Sequence, residues 1–455
     1  MKWEHLFNPN RIGVQYSKEI DLLSTRSSFA KDYDRILFSA PFRKLQNKTQ
    51  VFPLTDNIFV HNRLTHSLET ASVGKTLGGE VGNAIAAKGP QEPVFQYFYQ
   101  NELQNVIAAA CLAHDIGNPP FGHAGESALS EYFKNLPQSV QESIRQELTD
   151  AQWKEISHFE GNANGFRILT HPFNNPNGGE FKLTYSTLAA MVKYPCQCVD
   201  GNDKSKAIIS AKKYNIFETE WAAWQKLSNA MHMETLPNYS TIYQRHPFVF
   251  LTEAADDICY LIIDLEDAHR LKIIPHTETV NHFIGLLEAF DLDFEIPKTV
   301  QNIVAEDHKI AYLRALVISK AIQTTVAVFM EHEKDLLNGT LNQSLTSLFP
   351  EAIKKKWKAL ENYSLEHIYR HPMVVHREMA GYTILQGLLG EFLQLVFQPE
   401  SLRSKQLRSL IPYSFQNKEN PDSLYLNLRA ILDFISAMTD QEAMDLFRLL
   451  KGIKV

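Results

Sequence analysis

The chain has 455 residues, 44% hydrophobic and 21% charged, with a formal net charge of −7. That length allows a large core and more than one domain, and the composition is ordinary for a globular protein. The acidic balance argues against a basic surface built for duplex nucleic acid, though a small anionic ligand in a locally positive pocket stays open. Four cysteines in so long a chain make no disulfide framework, and the N-terminus lacks the apolar centre of a secretory signal. A reducing cytoplasm is the expected location. Apolar runs such as 106–113 and 261–265 fall short of the roughly 18–20 residues that span a bilayer, so no membrane association is expected.

In chain order, residues 49–54 are the one candidate for a short extended piece. His66, in Asn62-Arg63-Leu64-Thr65-His66-Ser67-Leu68-Glu69, opens an amphipathic helix. Residues 102–116 make an apolar helix stopped by Gly117 and Pro119-Pro120. Segments 171–180 and 195–206 carry loop signals. Residues 254–269 have Ile258, Leu261, Ile262 and Leu265 at helical spacing, and 311–331, 377–397 and 426–438 read likewise. No solenoid repeat and no linker divides the chain. The expectation is one large all-α unit (1–455), with a core over 60–270 and a helical C-terminal lobe over 271–455 that completes a pocket.

The chemistry concentrates in a few places. His114-Asp115 ends the apolar helix, beside the loop Gly117-Asn118-Pro119-Pro120-Phe121-Gly122. Ala255-Asp256-Asp257-Ile258 puts two carboxylates inside an otherwise apolar helix, where unpaired charge is costly. Asp256, Tyr260 and Asp264 are spaced i, i+4, i+8 and share a face. Asp256 is therefore the preferred ligand and Asp257 its rival; structural ion pairing is the alternative for both. His66, His114, Asp115 and Asp256 form a mixed N/O set that suits one divalent ion: Mn, Mg, Co, Ni, Fe or Zn. His123 and Glu126 are close enough for the carboxylate to orient the imidazole for acid–base work, against the plainer reading of a backbone-bonded loop histidine. Cys196-Gln197-Cys198 lacks a further pair at zinc spacing.

His66, His114-Asp115 and Asp256 match the H…HD…D signature of HD-domain phosphohydrolases. The surrounding motifs are more specific. The segments 35–53 (with Phe42-Arg43-Lys44-Leu45-Gln46-Asn47), 63–67, 114–126, 159–163, Lys193-Tyr194-Pro195, 254–260 and Phe434-Ile435-Ser436-Ala437-Met438-Thr439-Asp440 resemble the bacterial dGTPase family over nearly the whole chain. Ala437 departs from the Gly expected there. The resemblance implies an HD-domain helical fold and metal-dependent hydrolysis of a deoxynucleoside triphosphate, dGTP favoured. The products would be the deoxynucleoside and inorganic triphosphate. It implies His123 and Glu126 as the catalytic pair, Gln50 and Asp264 on the sugar 3′-hydroxyl, and Tyr260 against the deoxyribose. Arg63, Lys193, Lys213 and Arg429 become further substrate contacts, the last three gripping the triphosphate. A homo-oligomer, a hexamer in the first instance, and contact with single-stranded DNA follow from the same resemblance. The competing classes are another HD nucleotide phosphohydrolase, with His61, His123 and His158 as extra ligands in a two-metal version, and a single-strand-binding regulator with a structural metal.

Overall fold

Helix starts are written into the sequence by caps. Asn62 accepts from the Thr65 amide while Thr65 reaches back to the Asn62 amide, and this capping box opens α2 (Arg63–Lys88). His246-Pro247 and His371-Pro372 each supply a histidine Nδ1 cap with proline in the first turn, opening two more long helices. In a computed structural model that describes residues 1–14, 26–52, 59–173, 181–295, 297–418 and 420–453, the principal helices are α1 (Ser28–Leu37), α2, α3 (Leu103–Ala113), α4 (Gly122–Lys134), α5 (Gly161–Thr170), α6 (Tyr185–Met191), α7 (Pro247–Arg270), α8 (His276–Phe290), α9 (Glu306–Glu331), α10 (Glu351–Ser364), α11 (Pro372–Phe392), α12 (Leu424–Ser436) and α13 (Asp440–Leu450). The fold is all-α; extended pairing among the described residues is limited to isolated bridges.

The largest interface joins α2 to α3. Its closeness comes from glycine: a Cβ on Gly82 would stand 2.0 Å from the Tyr99 carbonyl oxygen, and one on Gly78 would stand 2.9 Å from the Gln104 Cα. Helix α7 lies against α2, α3 and α6, and α9 lies against α2, α7 and α8. These elements share one apolar core. A second core gathers Phe121, Leu129 and Phe133 with Leu385, Phe392, Leu428, Leu432 and Ile435. Thus α4, adjacent to α3 in the chain, packs on the C-terminal helix α11, which in turn packs on α12 and α13.

Several elements differ from their expected bounds. The 102–116 helix is a π-helical segment, Phe98–Glu102, followed by α3, and His114 is the C-cap rather than a residue inside the helix. Thr49 pairs with Asn62 in one bridge; the rest of the proposed extended piece, from 53 on, lies outside the described residues. So do 174–180 of the proposed 171–180 loop. Helix α9, with 26 residues, is by length and composition long and apolar enough to cross a membrane, contrary to the expected shortness of apolar runs. It packs on three other helices, with Arg314 paired to Glu266 of α7.

Candidate active site

Three elements bring the metal-type ligands together. His66 stands in the first turns of α2, His114 caps the end of α3, and Asp256 lies midway along α7. The ligand-capable atoms of the three lie within 4.8 Å of one another. His66 Nε2 is 3.2 Å and His114 Nε2 3.4 Å from Asp256 Oδ1. His114 Nδ1 donates to the Cys111 carbonyl at 2.6 Å, which fixes the tautomer and turns the Nε2 lone pair into the site. That Nε2 is buried and has no hydrogen-bond partner among the described residues. Lone pairs of two imidazoles and a half-buried carboxylate converging on one point fit a cation.

Electrostatics agree. Burial alone would lower the His114 pKa, but the Asp115 and Asp256 carboxylates overcome it and push it up. The field that favours a proton there favours a metal ion equally. Burial would raise the Asp256 carboxyl, yet Lys193 and His114 hold it well below the usual range. Asp115 stands at the margin, 3.6 Å from His114 Nε2; its Oδ2 accepts from Arg63 at 2.5 Å and its Oδ1 from Asn118 at 2.6 Å. The rival Asp257 points elsewhere: it accepts from Thr346 Oγ1 at 2.7 Å, and burial, with Glu253 beside it, pushes its carboxyl up to about 7. His61 is bracketed by Asp267 at 2.9 Å and Glu69 at 3.1 Å. Burial opposes its charge, but the bonds to those carboxylates raise its pKa to about 10, and both ring nitrogens are engaged. His158 Nδ1 lies 2.9 Å from the Lys154 carbonyl oxygen and 3.1 Å from Ser157 Oγ.

The loop after α3 presents the second pair. Phe121 and Gly122 both adopt left-handed backbone (φ 61° and 57°), which reverses the chain into α4. A Cβ on Gly122 would stand 2.7 Å from Arg63 Nη2, so glycine also leaves room for the arginine that holds Asp115. His123 Nδ1 is 3.1 Å from Glu126 Oε2, with the imidazole exposed and the carboxylate buried. Glu126 Oε1 accepts from the Gly161 amide at 2.7 Å, and Lys213 stands 3.7 Å away. Burial works against its charge; Lys213 and His123 hold the carboxyl down to about 2.

Lys193 bonds Asp256 Oδ2 at 2.7 Å and so sits against the metal-type cluster. Gln50 keeps a buried Oε1 with no partner among the described residues. Arg429 is fully buried, 3.9 Å over the Phe217 ring and 3.3 Å from Asp433, beside an ion-pair group that includes Arg167 and Glu220. None of its contacts among the described residues reaches His66, His114 or Asp256.

The structure adds residues that the sequence did not single out. Tyr369 donates to Asp264 at 2.7 Å and stacks on Tyr260 at 5.7 Å between centroids. Its only signal was position, just before the His371-Pro372 helix start. Asp440, quoted only as the end of a motif, accepts from the Phe121 amide at 2.9 Å and the Thr49 amide at 3.0 Å. Lys48 spans the same junction, donating to the carbonyls of Asn118 at 2.6 Å and Ser436 at 2.8 Å.

Residues 63–171 match the HD domain, and 348–449 match the phosphohydrolase-associated domain. A deoxyguanosinetriphosphate triphosphohydrolase-like protein of Synechocystis sp. is 34% identical, with the whole of both chains aligned. The chain belongs to the deoxyguanosinetriphosphate triphosphohydrolase-like family. A protein of the same description from Pseudomonas aeruginosa is 32% identical over 99% of each chain. The deoxyguanosinetriphosphate triphosphohydrolase of Cronobacter sakazakii is 29% identical over 94% of each. Members of this family carry a metal-dependent phosphohydrolase fold, and His66, His114 and Asp256 are where this chain's geometry accommodates a metal.

Proposed function

We propose that this protein hydrolyses a deoxynucleoside triphosphate, dGTP favoured, to the deoxynucleoside and inorganic triphosphate by attack of water at the α-phosphorus. The observation that carries the reading is the single face of α7 on which Asp256, Tyr260 and Asp264 follow one another, with Tyr369 closing over the last two. An α-phosphate at Asp256 puts the attached sugar one to two helical turns along, beside Tyr260 and Asp264. A divalent ion held by His66, His114, Asp115 and Asp256 would polarise the phosphoryl group.

The chain's own groups do the rest. His123, with Nδ1 turned to Glu126, has Nε2 available to move a proton at the attacking water or the departing 5′ oxygen. Arg63, Lys193 and Lys213 surround this region with positive charge that suits a triphosphate. The segment 60–270 supplies the metal-type ligands, and 271–455 completes the pocket through Tyr369. Hydrolysis in H₂¹⁸O with chromatographic separation of the products tests the reading. The expected result is deoxyguanosine without label and triphosphate with label; deoxynucleoside monophosphate plus pyrophosphate would sink it.

A further inference from the structure

Helix α7 has a second cluster of ligand-type side chains at its far end. His269 lies in its last turn. The chain then turns sharply: Lys272 takes left-handed backbone (φ 58°), and its amide and that of Ile273 return to the carbonyls of His269 and Ala268 at 2.8 Å each. This tight reversal delivers His276, the first residue of α8, back beside His269, with ring centroids 5.4 Å apart. The first turn of α9 arrives at the same point, positioned by its packing on both α7 and α8. It carries Glu306 and Asp307. Ligand-capable atoms of His269, His276 and Glu306 lie within 4.8 Å of one another, and Asp307 Oδ1 is 3.5 Å from His269 Nε2.

Two further facts set the cluster apart from ordinary helix-end charges. His269 is 8% exposed, and its Nδ1 is buried with no hydrogen-bond partner among the described residues. The Nδ1 of His276 is in the same condition. A buried ring nitrogen without a partner is costly, and two in adjacent imidazoles facing a carboxylate compound the cost. Acidic residues in the first turn of α9 would by themselves complement its macrodipole. That accounts for Glu306 and Asp307 and leaves the paired histidines unexplained.

We propose that His269, His276 and Glu306 form a second metal site that binds a divalent transition ion of the zinc class and staples the ends of α7, α8 and α9, with Asp307 beside His269 Nε2 leaving Nδ1 for the ion. Two imidazole nitrogens and one carboxylate oxygen, with water in the fourth position, suit tetrahedral Zn²⁺, and Co²⁺ or Ni²⁺ as substitutes. The exposed carboxylates give the ion a route from solvent. Thirteen residues separate His269 from Asp256 along one helix, about 20 Å at the helical rise, so this is not the second half of a two-metal catalytic centre. The proposal stands apart from the reading of the active site, because the role is structural.

Paired variants separate the two sites. Metal-stripped wild type, His66→Ala, and His269→Gln/His276→Gln are titrated with Co²⁺, followed by visible absorption, and with Zn²⁺ against a chromophoric chelator. The expected result is that wild type takes one equivalent more than His269→Gln/His276→Gln, that the extra equivalent gives the intense visible bands of tetrahedral Co²⁺, and that His66→Ala retains it. Zn²⁺ should raise the melting temperature of His66→Ala, while the double variant should keep its hydrolytic activity. Should the double variant fail to fold, Glu306→Gln, altered at an exposed position, serves instead and should bind that equivalent at least ten-fold more weakly. Equal stoichiometry and spectra in wild type and double variant, or unchanged affinity in Glu306→Gln, overturns the site. Loss of activity in His66→Ala bears only on the catalytic reading.

Discussion

His114 and His123 sit at the two ends of one short loop and are held in opposite ways. His114 is buried, its Nδ1 bound to the Cys111 carbonyl and its Nε2 facing Asp256. His123 is mostly exposed and has Glu126 as its one side-chain partner among the described residues. The first arrangement gives fixed geometry and a field of half-buried carboxylates, as metal ligation requires. The second gives an imidazole in contact with water, oriented by a carboxylate that is itself anchored to the Gly161 amide. A ligand must not move; a group that exchanges protons must reach both solvent and substrate. The loop between them is built to keep these environments apart.

The largest effects should fall on the buried end. His114→Ala or Asp256→Ala should abolish turnover and lower metal content, measured by elemental analysis alongside product assays. Asp257→Ala should cost stability, about 1–3 kcal/mol for its buried hydrogen bond, while sparing most activity. The reverse ranking of the two aspartates would move the ligand by one residue.

At the exposed end, His123→Ala should keep the metal and lose about 10² to 10⁴ in kcat, the range for a positioned acid–base group. Glu126→Ala should lose less. Normal rates in His123→Ala at saturating metal would erase the contrast between the two histidines.

A smaller effect is expected at the sugar face. Tyr260→Ala should narrow the dGTP to GTP ratio of kcat/KM, since a 2′-hydroxyl packed against the ring would be buried without a partner. Tyr369→Phe removes the bond to Asp264 and should weaken both nucleotides. An unchanged ratio in Tyr260→Ala would mean that another group reads the sugar.

The finest test is one of pH. With Lys213 in place the Glu126 carboxyl is held to about 2, below its ordinary 4.5, so it stays ionised through any working pH and loses its charge only as pH falls towards 2. Lys213→Met removes the nearest cation and moves that loss upward. Activity at pH 5 relative to pH 8, measured at saturating substrate, should therefore fall in the variant compared with wild type.

How much of this was legible beforehand follows from what local pattern can carry. Asp256 could be preferred to Asp257 because helical spacing put it on the stripe of Tyr260 and Asp264, and the structure has Asp256 against both histidines. The 102–116 helix was visible from its apolar run; its π-helical start and its end at Ala113 were not, because hydrophobicity does not report which carbonyl an amide chooses. Tyr369 was missed because its meaning lies in Asp264, 105 positions away, and no periodicity connects them. Arg429 came only with the family resemblance; its ring contact with Phe217 and its neighbour Asp433, one helical turn along, could be read only from the fold.

The bond from the Phe121 amide to Asp440 joins residues 319 positions apart. A ribosome adding about 5–20 residues per second takes on the order of 15–60 s to travel from one to the other. Through that interval the nascent loop carrying His114 and His123 exists without Asp440, and without the Ser436 carbonyl that Lys48 grips from the same stretch. The two bonds that tie this loop to the 436–440 stretch therefore form only after that interval.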